Sequence, residues 1–344
     1  MKFIQFIGTQ RSGSNLLRIM LNQLPEIAAP HPPHILETFE HILPIYNDLN
    51  DNANFESLVN DVCLWVELNP VKWQISKFDR AIIRDRCKEN TLITLFYEIY
   101  SYYAELQNCE YTCCKSMSNV HRYRDLEAAG LNPWYIYLHR DGRDVACSFK
   151  KAIVGEKHVY HIARQWKSDQ EKSLEVEQNI PSDRVINVKY FDLITDPESV
   201  LKKICSFLHV PFNQNMLDYF HSKESLETAR SGKMWQNLSQ PIMAGNYNKF
   251  LKELTPEEIR IFEKVAGDTL EKLGYAVTTD YKNGAEIEAH TIKAYDLQNS
   301  KMKREAVLMA DQHDIEARYP QKEMLNSLHK RLDNANRSGN RLAL

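Results

Sequence analysis

The first apolar run of the chain, Lys2 to Ile7, has the β-prone composition of a short buried strand, with Phe3, Ile4, Phe6 and Ile7. From Ser14 the spacing changes to three and four. Leu16, Leu17, Met20, Leu21 and Leu24 then fall on one helical face, and Pro25 stops it. The opening unit therefore reads as strand, glycine-containing turn, helix. Three later stretches have strand character: Tyr111 to Ser116, Trp134 to His139 and Asp183 to Tyr190. Helical stretches separate them, including Val145 to Ala152 and Val159 to Gln178. Strands alternating with helices predict an α/β fold, a three-layer sandwich around a central parallel β-sheet.

Residues 34–108 read as mostly helical, with Pro44 and Pro70 as breaks. Two later helices carry start signals. Asp196 is placed to cap a helix with Pro197 at its first position, and Thr255 with Glu258 forms a capping box. Ile259, Phe262, Val265, Leu270 and Leu273 face the core of that second helix, which ends at Gly274. After about residue 280 the chain turns polar. Residues 279–344 are expected to be a helical or partly disordered extension, with "NANRSGNRLAL" frayed at the end. No internal repeat is found.

Composition narrows the function classes. Hydrophobic residues make up 43% and charged residues 26% of the 344, as in ordinary globular chains. A net charge of -3 argues against general nucleic-acid binding, so any basic site is local. Seven scattered cysteines fit a reducing compartment, and Cys109, Cys113 and Cys114 lack the second pair that a zinc site needs. "MKFIQFIG" is too short and too interrupted for a signal peptide, and no apolar run reaches membrane-spanning length. A cytoplasmic protein is expected.

The chemistry starts in "FIGTQRSGSNLL". A phosphate loop reads G-x-x-x-x-G-K-[ST]. Gly8 and Gly13 hold the glycine places, but Ser14 and Asn15 replace the lysine and the hydroxyl residue that binds Mg²⁺. The turn and helix start still offer backbone N–H groups to an anion. Arg11 adds the charge that a metal would otherwise supply. NTP hydrolysis by the usual route is thereby disfavoured. A second segment, "YIYLHRDGRDVACSF", delivers His139, Arg140 and Asp141 to the carboxyl edge of the sheet, where α/β folds bind ligands. Arg140 and Ser148 can converge on a further phosphate. "HRD" also occurs in kinase catalytic loops, but the Asn required five places after Asp141 is Ala146, and D-F-G is missing. Arg143 and Asp144 read as helix-start ion pairs.

These two segments together resemble the sulfotransferases that use 3′-phosphoadenosine 5′-phosphosulfate (PAPS). "TQRSGSNLL" looks like the family's 5′-phosphosulfate loop, which implies Gln10, Arg11, Ser12, Gly13, Ser14 and Asn15 as cofactor-binding residues. "YLHRDGRDVACSF" looks like its 3′-phosphate motif, with Arg140 and Ser148 at the matching positions. "VKYFDLITDPESVLKKICSFL" resembles the family's Tyr-containing strand-turn, which implies that Tyr190 lies near the adenine. "ARSGKMWQNL" resembles the C-terminal cofactor loop, with Arg230, Gly232 and Lys233 on the cofactor side. The resemblance covers roughly residues 1–278 in colinear order. It implies a sulfotransferase domain of the P-loop NTPase-like type, with 34–108 shaping the acceptor pocket.

One departure bears on the mechanism. Many members carry Lys-Ser/Thr-His after the second strand, with the His as base. Here the segment is Lys115-Ser116-Met117, so that base cannot be carried over. Other members place a Glu downstream of the loop. In this chain the place about twenty residues after Arg11 falls in "APHPPHILETF", with His31 nearest and His34 and Glu37 close behind. The resemblance implies in-line sulfuryl transfer to an acceptor hydroxyl or amine, with Arg11 and Lys115 supporting the leaving phosphate; His31 is the candidate base, and His34 and Glu37 are the alternatives. PAP (3′-phosphoadenosine 5′-phosphate) would be the product, and no metal would be required. A small-molecule kinase and a catalytically silent nucleotide-binding protein are the alternatives. Carbohydrate, lipid, peptide and small-metabolite acceptors all stay open. Trp65 and Trp73 read as core residues in preference to sugar-stacking ones. The extension after 280 is left to cover the site, to pair two copies as a homodimer, or to do neither.

Overall fold

A computed structural model describes residues 1–283 and 286–339 of the chain. Five parallel strands form one sheet in the order β2-β3-β1-β4-β5. They are β1 (Lys2–Ile7), β2 (Ile27–Ala28), β3 (Tyr111–Cys114), β4 (Trp134–His139) and β5 (Val185–Lys189). The α/β sandwich is thus as the sequence predicts, with one strand more. β2 was not foreseen because two residues are too short to show a period. Its partner strand β3 also ends at Cys114, two residues before the predicted limit. Pro44 lies inside a 3-10 helix, Glu40–Tyr46, instead of breaking a helix.

The alternation in β1 explains the layers. Ile4 and Phe6 pack with Leu17, Met20, Leu201 and Ile204 in one layer, while Ile7 packs with Tyr135, Tyr137 and Val176. Gln5, fully buried in the middle of the strand, would be costly if left unpaired. Its amide instead donates to the Cys114 and Ser116 carbonyls at 3.2 and 3.0 Å and accepts from Asn119 at 3.0 Å. This fixes the exit of β3, and with it Lys115. Residues 34–108 form a mostly helical cap around Asn52–Glu67 and Leu92–Leu106.

The predicted caps are present. Asp196 accepts from the Ser199 amide, and Thr255 and Glu258 form a reciprocal capping box. Gly274 follows the helix Pro256–Lys272 with φ of 74°. Beyond it the chain is tied down by Glu263, which is fully buried. That carboxylate takes Arg143 at 2.5 Å and the Thr278 and Thr279 amides at 3.0 and 2.7 Å. Arg143 also meets Asp141 at 2.6 Å, so its expected ion pairing at the helix start takes place in a buried triad, while Asp144 faces Arg140 at 3.6 Å.

The extension is not loose. It forms two helices, Ala289–Leu308 and Gln312–Gly339. The second lies against the cap: Leu328 is buried, Arg331 pairs with Asp61 at 2.7 Å, and Gln321 donates to the Trp65 carbonyl at 2.9 Å. The stretch expected to fray continues this helix to Gly339, and residues 340–344 lie outside the described residues.

Gly8 ends β1 with φ of 116°, and a Cβ there would stand 2.3 Å from the Leu138 carbonyl oxygen of β4. Because that obstacle is backbone, Gly8→Ala is expected to destabilise the fold by at least about 1–3 kcal/mol. Chemical denaturation checks this; wild-type stability in the variant would contradict the close strand approach.

Candidate active site at the carboxyl edge of the sheet

The turns leaving β1, β2, β3 and β4 open into one cavity of about 1240 Å³. Parallel strands make this convergence automatic, since all four carboxyl ends share an edge. After β1 the chain turns through Arg11, whose φ of 71° is unusual for a residue with a side chain. Gly13 follows with φ of 91° as the N-cap of α1, Ser14–Leu21. A Cβ on Gly13 would lie 2.4 Å from the Tyr190 ring, so glycine is what lets that ring press on the loop. The first turn of α1, with its unpaired N–H groups, lines the cavity through Ser14, Asn15 and Leu16.

Arg11 and Ser148 are brought together. Arg11 Nε donates to Ser148 Oγ at 3.0 Å. Enclosure, then the nearby Arg140 and Arg318 charges, push the Arg11 guanidinium down to about 10. Arg140 stacks over the Tyr190 ring at 4.5 Å, donates to the Asn246 carbonyl at 2.9 Å and has Asp144 at 3.6 Å. Asn246 in turn donates to the Tyr190 hydroxyl at 2.7 Å. Lys115, buried at the exit of β3, also lines the cavity. Burial first, then Arg18 and Arg11, push its ammonium down to about 7.

His31 follows β2 between two prolines. Its carbonyl accepts from Trp73 Nε1 at 2.7 Å and from Asn69 at 3.3 Å, and the Pro33 carbonyl accepts from Trp65 Nε1 at 2.6 Å. Trp65 and Trp73 are thus buried, as expected, but their indole N–H groups also brace the His31 segment. From the other side Arg18 and Asn22 of α1 grip Ala29 and are themselves held by Glu224. The imidazole meets the Trp235 ring edge-on at 5.0 Å, and neither ring nitrogen has a protein partner. Burial, with Arg18 and Lys115 next, holds its pKa well below the ordinary histidine value. It is therefore a neutral, free imidazole facing a cavity. His34 and Glu37 differ. They pair at 3.3 Å, Ser118 donates to Glu37 at 2.6 Å, and the His34 contact leads in holding the Glu37 carboxyl down to about 2.

Gln10, Lys233 and His34 also line the cavity, whereas Ser12 is buried behind the loop. Arg230 and Gly232 do not line it. Arg230 ends the helix Lys223–Arg230, and Gly232 is turned to Asp314, whose Oδ1 would sit 2.0 Å from a Cβ there. Met117 is fully buried, so a side chain at that place serves the core. Asn246, Trp235 and Arg318 are wall residues that sequence reasoning did not single out. Trp235 lay inside the quoted "ARSGKMWQNL", one signal that was available. Arg318 carried none, standing in a polar stretch without a motif. Among the described residues no cluster of three or more His, Cys, Asp or Glu side chains is arranged to hold a metal ion.

Residues 4–214 match the sequence profile of the sulfotransferase family. The chain belongs to the sulfotransferase family. Two solved structures share the fold. The sulfotransferase domain of the Synechococcus PCC 7002 olefin synthase superposes with a TM-score of 0.54 at 22% identity, over 80% of this chain and 96% of that domain. The sulfotransferase domain from the curacin biosynthetic pathway gives 0.53 at 20% identity, over 81% and 99%. No curated protein sequence matches the chain significantly.

A buried ammonium without an acid partner opposes folding while it is charged. Lys115 has its folded pKa depressed, so the unfolded chain binds more protons between about 7 and the ordinary lysine value of 10.5. Wild-type stability therefore gains from this group as pH rises through that window. Lys115→Met should stabilise the ligand-free protein most at or below pH 7, with the advantage fading toward pH 10.5. Denaturation of both proteins across the window measures it; a pH-independent difference would contradict the burial argument.

Proposed function

We propose that this sulfotransferase takes its sulfuryl group from PAPS and transfers it in line to an acceptor hydroxyl or amine. The observation that carries the reading is a group of cations around the start of α1, in one cavity with a neutral imidazole whose nitrogens have no partner among the described residues. Asn15, which lines the cavity and whose Oδ1 is buried without a partner among the described residues, supports a ligand there. When bound, PAPS supplies an activated sulfur whose leaving group is a phosphate.

Each residue has a role within this reading. Gln10 to Asn15 and the first turn of α1 receive the phosphosulfate end, with Arg11 and Lys115 balancing its charge. Arg140 and Ser148 take the 3′-phosphate, and Tyr190 flanks the adenine. Lys233 is the member of its stretch that the proposal keeps on the cofactor side, since Arg230 and Gly232 face elsewhere. His31 accepts the acceptor's proton on a ring nitrogen as the oxygen–sulfur bond forms and the bond to the phosphate breaks. An imidazole held neutral is ready for that step, whereas Glu37 is already ionised and committed to His34 and Ser118. Charge develops on the leaving phosphate, where Arg11 and Lys115 stand, so no metal is needed to stabilise it. The acceptor is a carbohydrate, lipid, peptide or small metabolite. A cytoplasmic location belongs to the same proposal; no described helix is long and apolar enough to cross a membrane.

The test is transfer of radiolabelled sulfate from PAPS to acceptors in a cell extract, with the labelled products identified. His31→Ala should lower turnover by roughly 10²- to 10⁴-fold while PAP affinity stays near wild type. Glu37→Gln should have a far smaller effect. Near-normal turnover in His31→Ala, with collapse in His34→Ala, would remove His31 from the role and leave the reaction class standing. Absence of any labelled product would count against the reaction.

A further inference from the structure

The C-terminal helix Gln312–Gly339 places a cation in the cavity that the donor site does not use. Arg318 stands over the Trp235 ring at 5.1 Å, and the same indole meets His31 edge-on at 5.0 Å. Arg318 is therefore one indole away from the free imidazole. Its charge is felt at His31 and at Arg11, and all three line the same cavity. Its own partners are poor. Nη2 reaches only the Met234 sulfur at 3.2 Å, and Nε is buried with no partner at all. Burial pushes the Arg318 guanidinium below its ordinary value, and Asp314, one turn earlier, offsets this only in part while its carboxylate accepts from the Lys233 amide at 3.2 Å. An enclosed guanidinium with idle donors is costly unless an oxyanion arrives.

We infer that Arg318 is a specificity residue that binds an oxyanion on the acceptor, a carboxylate or a comparable group carried near the hydroxyl to be sulfated. This rests on the function proposed above. The donor's own charges already have the helix start, Arg11, Lys115, Arg140 and Ser148. Arg318 instead shares the Trp235 ring with His31, one turn before Gln321, which is bonded to the Trp65 carbonyl of the cap; we place the acceptor on this side. Arginine suits the task because its planar fork pairs with a carboxylate through two hydrogen bonds, and stacking on Trp235 fixes that plane. The extension thus contributes a wall of the acceptor pocket.

The experiment uses the full chain saturated with PAP and titrates two probe pairs by calorimetry and tryptophan fluorescence. These are 4-hydroxyphenylacetate and 3-hydroxybutyrate, each against its neutral methyl ester. Wild type should bind each carboxylate at least about tenfold more tightly than its ester, the worth of a charged hydrogen bond. Arg318→Gln should abolish that preference and leave PAP affinity unchanged, while Arg318→Lys should keep part of it. No preference in wild type, or a preference that survives in Arg318→Gln, would overturn the inference. So would a loss of PAP affinity in Arg318→Gln, which would assign the residue to the donor. If PAP fails to bind wild type, the proposed function itself falls and takes this inference with it; PAP binding without carboxylate preference sinks the inference alone.

Discussion

Arg11, Lys115, Arg140 and Arg318 line one cavity, and among the described residues Arg140 alone of the four has a carboxylate within ion-pair distance, Asp144 at 3.6 Å. Like charges drawn together away from water repel and lose hydration. The fold meets that cost through neighbours instead of through acids. Ser148 holds Arg11, carbonyl oxygens and the Tyr190 ring hold Arg140, and the Trp235 ring holds Arg318. What these arrangements leave is net positive potential, which an anionic ligand can neutralise. Much of the surrounding detail follows from it. Gly13 must be glycine so that Tyr190 can approach, and Lys115 is held near the point of losing its proton.

The same field explains why a histidine can stand here free. Burial disfavours a proton on His31, and the nearby Arg18 and Lys115 charges add to this. The ring stays neutral without any hydrogen bond to fix it. Its position comes from the backbone: two indoles and Asn69 grip the carbonyls of His31 and Pro33, and α1 grips Ala29. Two prolines stiffen what lies between. The cap therefore holds the His31 backbone in place, and its Trp65 and Asn69 line the same pocket.

How much of this was readable in the chain depended on distance along it. The strand–turn–helix start and the helix caps are local patterns, and the structure places them as read; Arg140 and Ser148 both line the cavity. β2 was invisible because two residues carry no period, and its existence depends on pairing with β3, far away in sequence. His31 was readable as a candidate, yet its free nitrogens depend on Trp73, Asn69 and Trp235. Arg230 and Gly232 were placed at the cofactor side by motif alone; neither lines the cavity, and Gly232 packs against Asp314, while Lys233 beside it does line the cavity. Arg318 could not be found from sequence, since nothing local distinguishes it from the other charges of a polar helix. Its meaning comes from the fold of that helix over the cavity.

The central claim is that the loop binds a bisphosphate donor product through protein cations and without a metal. The direct measurement is a thermal-shift titration with PAP in the presence of EDTA, set against ATP with Mg²⁺. Stabilisation should follow RT ln(1 + [L]/Kd) for PAP, at roughly 2.7 kcal/mol when the ligand is a hundredfold above Kd. A shift with ATP and Mg²⁺, and none with PAP, would contradict the account and turn the site toward phosphoryl transfer.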